Sequence, residues 1–268
     1  MMPTMDQENN KNIIYEHPMN ERIRNLLRIE YLCNIIEDRI KEDSEQNCRV
    51  ILEALLHISE LLVRSDMKNE IIKELKRQLE VFNMLRSSDE YGNFVDIDRL
   101  KKLNDIIDEE LKILQDQTYH PGEIIKNNEL VRVFSQRINI PGGTCNFDLP
   151  RLHYWLEQSE LKRKQDLMNW SSDLVPIKES ANILLDNIRK SSTPTYENAK
   201  EGFYHKQIGV NMPCQLIRVV MNSSSAYYPD ISGVKHRFTV RFMEGPDSNF
   251  KPIQIHNDIQ FELHCCIL

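Results

Sequence analysis

Ile140-Pro-Gly-Gly-Thr-Cys-Asn-Phe-Asp-Leu-Pro-Arg-Leu-His-Tyr-Trp-Leu156 is a turn that leads into the start of a helix, and the chain changes character on either side of it. Pro141 fixes its own φ, and the Gly142–Gly143 pair tolerates positive φ, so the backbone can reverse there. Asp148 is placed to N-cap the helix. Pro150 falls in the first turn, where a missing N–H costs little, and Leu149, Leu152 and Leu156 recur at helical spacing. Before this stretch the patterns are mostly helical. After it come two or three more helices, and then strand patterns to the end.

Residues 1–12 are polar and read as a disordered tail. Ile13-Ile-Tyr15 is β-prone and is expected to pair with a distant sheet. Asn20 caps a helix to about Lys41, with Ile23, Leu26, Ile29, Leu32, Ile36 and Ile40 in its apolar stripe. A second helix is expected from about Arg49 to Val63, with Ile51, Leu55, Ile58 and Leu62 aligned. Ser65 or Asp66 caps a third, to about Leu85, with Ile71, Leu75, Leu79 and Phe82 on one face. Residues 87–95 read as a loop. Asp96 or Asp98 caps a fourth, to about Gln115, with Leu100, Leu103, Ile107, Leu111 and Leu114 aligned. His120-Pro-Gly122 breaks the pattern before a short helix from about Asn128 to Ile138. Ser159 caps a helix to Trp170, and Pro176 opens the last one. Short connections favour antiparallel neighbours in a bundle.

From Ser191-Ser-Thr-Pro194 the texture turns β-branched and aromatic. The runs 196–204, 214–221, 232–242 and 253–266 predict about four to six antiparallel strands, as a sheet or small sandwich. The fold class is therefore α+β: a helical bundle domain over 13–192, and a β-strand domain over 193–268 that the N-terminal strand joins.

With 268 residues the chain can bury a real core, and its net charge of -7 argues against nucleic acid or anionic lipid as a partner. Residues 195–268 hold seven Lys/Arg and seven Asp/Glu, so the helical part carries the acidic excess. The six cysteines form no CxxC pair. No signal-peptide pattern opens the chain, and no apolar run approaches the ~20 residues needed to span a bilayer. A cytoplasmic protein with free thiols is the expectation, with no metal or cofactor.

Little in the sequence carries chemistry. Pro141-Gly142-Gly143 lacks the glycine spacing of a phosphate loop. His264-Cys265-Cys266 cannot converge on one ion from a strand, because neighbours point to opposite faces. Cys145 and His153 are close enough in sequence for a thiol nucleophile and its base, but nothing supplies a third group or an oxyanion hole. Basic residues are more suggestive. Within 126–164 there are seven basic and four acidic residues, Arg137 among the basic ones. The β region adds Lys235, Arg237 and Arg241. Arg237 and Arg241 are four apart in a strand and share one face, with Thr239 between them. Each is an ordinary solvated charge on the plainest reading. Together they offer charge-assisted bonds to an acidic peptide.

Several blocks, in register from about Ile14 to Cys266, resemble the ZapD family of cell-division proteins, which bind the bacterial tubulin homologue FtsZ. They include Glu16-His-Pro-Met-Asn-Glu21, Leu27-Arg-Ile-Glu30, Ile140-Pro-Gly-Gly143, Phe147-Asp-Leu-Pro150, Gly202-Phe-Tyr204, Ile231-Ser-Gly233 and Arg241-Phe-Met243. The resemblance implies a non-enzymatic cytoplasmic homodimer. It would grip the C-terminal tail of FtsZ, bundle protofilaments and support the division ring at midcell. Arg28, Arg64, Arg237 and Arg241 match basic positions of the family's FtsZ-facing surface, and His153 matches within the central signature. Glu129 and Ser135 stand where relatives look basic. The competing reading is a cysteine-dependent enzyme using Cys145 and His153.

Overall fold

The computed structural model describes residues 12–87, 97–209, 214–234, 236–244 and 251–268. Residues 1–11 of the expected tail, residues 88–95 of the expected loop and Asp96 as a candidate cap lie outside them. The described chain divides into two compact units. One is the described part of Met1–Arg24 together with Asp186–Leu268, and the other is Asn25–Leu185.

The helical unit is built from α1 (Glu21–Arg39), α2 (Glu45–Arg64), α3 (Met67–Ser87), α4 (Ile97–Gln115), α5 (Glu123–Lys126), α6 (Glu129–Arg137), α7 (Pro150–Leu156), α8 (Glu160–Ser171) and α9 (Val175–Lys190). The unit boundaries fall inside α1 and α9. Capping decides several starts. The Asn20 side chain accepts from Ile23 N at 3.0 Å, Ser44 from Asn47 N at 3.0 Å, and Asn128 from the amides of Leu130 and Val131. Ser44 is why α2 begins four residues before the expected Arg49. Ile51, Leu55 and Ile58 of α2, Ile71, Leu75 and Phe82 of α3, and Leu100, Ile107, Leu111 and Leu114 of α4 are buried as the spacing predicts. Leu79 and Leu103 are only half-buried, while Gln78 and Asn104 beside them are buried. Each of these amides has a partner: Gln78 donates to the Leu184 carbonyl and Asn104 to the Asn83 side chain.

The central stretch folds as a turn and then α7, with two corrections. Only Gly142 takes positive φ, at 71°; Gly143 is needed because a Cβ there would stand 2.5 Å from the Arg137 carbonyl oxygen. Asp148 does not cap α7. Leu149, held out of the helical region by the proline that follows it, occupies the N-cap, and Asp148 instead faces the Cys145 thiol at 3.6 Å.

The second unit is a two-sheet sandwich. Its strands are β1 (Asn12–Pro18), β2 (Thr195–Ala199), β3 (Phe203–Gln207), β4 (Leu216–Asn222), β5 (Tyr227–Val234), β6 (Arg237–Glu244), β7 (Ile253–Gln254) and β8 (Ile259–Cys266). One antiparallel sheet has the order β1-β4-β8-β2. The other has the order β3-β6-β5, with β7 on β6. The N-terminal strand does cross to the distant sheet, in the register Ile14↔Val220 and Glu16↔Arg218. The run 196–204 is two strands rather than one, because the chain turns at Lys200–Gly202, where Glu201 and Gly202 both have positive φ. Ile217, Val219, Phe261 and Leu263 of the first sheet and Phe238, Val240 and Phe242 of the second form one buried core. Phe242 and Phe261 meet across it, ring centroids 5.1 Å apart.

Candidate functional site

Strand alternation places every second residue of β6 in that core and aims the others away from it. Phe238, Val240 and Phe242 are buried; Arg237 and Arg241 are exposed, and Thr239 between them is half-buried. The expected shared face of the two arginines therefore exists. Its width comes from the neighbouring strands, whose register sets three cross-strand rungs. Phe203, Arg241 and Asp230 make the first, His205, Thr239 and Ser232 the second, and Gln207, Arg237 and Val234 the third. The middle rung is low over β6 and β5. Thr239 and Ser232 are small, and their hydroxyls share a hydrogen bond at 2.9 Å. A shallow depression of about 540 Å³ results, floored by Thr239 and Ser232 and walled by Phe203, His205, Val234 and Arg237.

Among the described residues neither guanidinium is engaged by an acid. Among the described residues Arg237 and Arg241 have no ion pair within 4.0 Å, although Asp230 stands across from Arg241. The Arg241 guanidinium lies over the Phe203 ring, 6.0 Å from its centroid. β3, beside β6 in the sheet, is tied to β2 of the other sheet. Lys206 of β3 pairs with Glu197 of β2 at 3.2 Å, and burial, with Glu197 beside it, pushes the Tyr204 phenol well above its ordinary range.

The other expected site residues belong to the helical unit, apart from Lys235, which lies outside the described residues. Arg28, exposed on α1, donates to the Asn25 side chain at 3.2 Å. Arg64, exposed at the end of α2, pairs with Glu60 one turn earlier at 3.5 Å. Arg137 is exposed at the end of α6 and has no ion pair among the described residues. Glu129 and Ser135 both turn to Arg132: Glu129 accepts two hydrogen bonds from its guanidinium, and Ser135 donates to its carbonyl. Those bonds hold the Glu129 carboxyl below its ordinary range. His153 of α7 places Nδ1 3.8 Å from Glu157, too long for a hydrogen bond. It makes none with Cys145, whose thiol faces Asp148. The nucleophile–base contact that a cysteine enzyme requires is not formed between these two side chains.

Phe203, His205 and Val234 escaped the sequence reading. Alternation alone placed the arginines on one face; which residues flank them depends on strand pairing, and the Gly202 turn hides the start of β3 inside a longer β-prone run. Among the described residues no cluster of three or more His, Cys, Asp or Glu is arranged to hold a metal, and no helix is long and apolar enough to cross a membrane.

Comparison with known proteins gives a consistent result. The family model described as ZapD, cell division protein, matches residues 27–241. A cell division protein ZapD from Methylococcus capsulatus is 34% identical over 256 residues, covering 96% of this chain and 98% of the relative. Proteins of the same name from Coxiella burnetii and Chromobacterium violaceum are 32% and 31% identical, each over 95% of this chain.

Proposed function

The chain belongs to the ZapD family of cell-division proteins, and on that premise we propose that it binds the C-terminal tail of FtsZ, crosslinks FtsZ protofilaments into bundles and supports division-ring assembly at midcell. The observation that carries this reading is the pair of guanidiniums, Arg237 and Arg241, on the outward face of β6, neither ion-paired among the described residues. A guanidinium without an internal carboxylate keeps its full capacity for charge-assisted bonds to an acidic ligand. Arg28, Arg64, Arg137, His153 and Lys235 complete the proposed FtsZ-facing set.

The protein acts in this reading as a cytoplasmic, non-enzymatic adaptor without a cofactor. As a homodimer it displays the same surface twice, and two weak grips on two filaments become strong crosslinking through effective concentration. Added salt weakens bundling, since the bonds are electrostatic.

Co-sedimentation with polymerised FtsZ tests it. The double variant Arg237→Glu/Arg241→Glu is expected to stay folded and dimeric by circular dichroism and gel filtration, and to remain in the supernatant. Undiminished pelleting of that variant would overturn the assignment of the surface.

A further inference from the structure

We infer that the outward face of β3, β6 and β5 reads a spaced pattern: an extended segment with two acidic side chains four residues apart and an apolar side chain midway between them. The inference rests on reading this face as the tail-binding surface. It adds which features of the tail the face selects.

Spacing comes first. Arg241 and Arg237 belong to the first and third rungs, so roughly 13 Å of strand separates their backbones. An extended peptide rises by the same amount per residue. Side chains at i and i+4 of a bound segment therefore repeat at the interval of the two guanidiniums, and both point down onto the sheet. A segment with acids two, three or five apart brings one carboxylate to a guanidinium and leaves the other short or on the wrong side.

The middle position is set by the shape. Residue i+2 of the same segment lies over the second rung, where Thr239 and Ser232 are small and their hydroxyls share one hydrogen bond. Phe203 on the first rung and Val234 on the third stand at opposite corners of the depression, and both expose apolar surface, 36% and 58% of the residue respectively. The Arg241 guanidinium over the Phe203 ring keeps that cation above the face. A leucine- or phenylalanine-sized side chain covers these two walls and loses water on both sides.

Fluorescence anisotropy with the full chain and labelled synthetic peptides tests the pattern. The matched peptide is Gly-Asp-Ser-Leu-Ser-Asp-Gly; one control moves the second aspartate a residue closer, and another replaces leucine with serine. The matched peptide is expected to bind about tenfold more tightly than either control. Phe203→Ala should remove the preference for leucine over serine while keeping the preference for spacing, and Phe203→Leu should retain both. Equal binding of the three peptides, no binding of any, or an unchanged leucine preference in Phe203→Ala would overturn the inference. The failures are separable. If charge reversal at Arg237 and Arg241 still abolishes co-sedimentation with FtsZ, the function stands and only the pattern is wrong. If co-sedimentation survives the reversal, the function assigned to this face is wrong as well.

Discussion

Arg218 and Arg241 sit on strands of the same unit and differ in almost everything around the guanidinium. Arg218, on β4, donates to Glu16 of β1 at 3.0 Å, and the same carboxylate accepts two bonds from Arg189. All three side chains are mostly buried, between 17% and 24% exposed. Arg241, on β6, is exposed and has no ion pair within 4.0 Å among the described residues. The first cation is held by the fold and holds it in return. The second touches the fold through the Phe203 ring and is otherwise turned to solvent. Counting basic residues therefore says little about available charge; what each one faces decides whether it serves stability or binding.

The largest effect is expected where a charge would be orphaned. Glu16→Ala leaves two partly buried guanidiniums against each other without their shared acid, and should cost about 3 kcal/mol in urea unfolding. A loss under about 1 kcal/mol would mean that the trio is solvated after all, and the contrast with Arg241 would collapse. Arg49→Ala comes next. This α2 residue donates to the Thr144 carbonyl and the Asn146 side chain of the central turn, besides pairing with Glu45. Its removal should cost about 2 kcal/mol and lower the thermal midpoint, because a charged donor is withdrawn from two acceptors of the central turn at once.

Arg241→Gln probes the other side of the contrast. Its stability should change by less than about 0.5 kcal/mol, as for an ordinary surface position. Pelleting with FtsZ should nonetheless fall several-fold. A variant that lost both in proportion would make Arg241 a structural residue like Arg218.

The division into a helical region and a β region was legible because helical and strand periodicities differ so plainly, and so was the crossing of Ile13-Ile-Tyr15 to the distant sheet. Asn20 and Ser159 were readable as caps because their side chains lie next to the amides they satisfy. Asp148 misled, since the pre-proline restriction on Leu149 moved the cap by one residue. Gln78 and Asn104 defeated the stripe patterns because a buried amide needs a partner far along the chain, Leu184 in one case and Asn83 in the other, and no local pattern announces it. The candidate surface divides in the same way. That Arg237 and Arg241 share a face comes from a period of two. That Phe203 and Val234 wall the space between them comes only from pairing, which is set by contacts between strands distant in sequence.

The smallest effect sharpens the comparison most, because it adds charge availability without adding charge. Arg64 belongs to the proposed FtsZ-facing set as Arg241 does, yet it pairs with Glu60 on its own helix. The pair is exposed and weak, so Glu60→Ala should leave stability within about 0.5 kcal/mol. If availability governs binding, releasing Arg64 should raise FtsZ pelleting by about twofold at low salt, with the gain vanishing as salt screens it. The double variant Glu60→Ala/Arg64→Ala should lose that gain. Pelleting that rises equally in the double variant would trace the effect to the removed acid alone, and a guanidinium's freedom from partners would then cease to be the property that separates the two kinds of arginine.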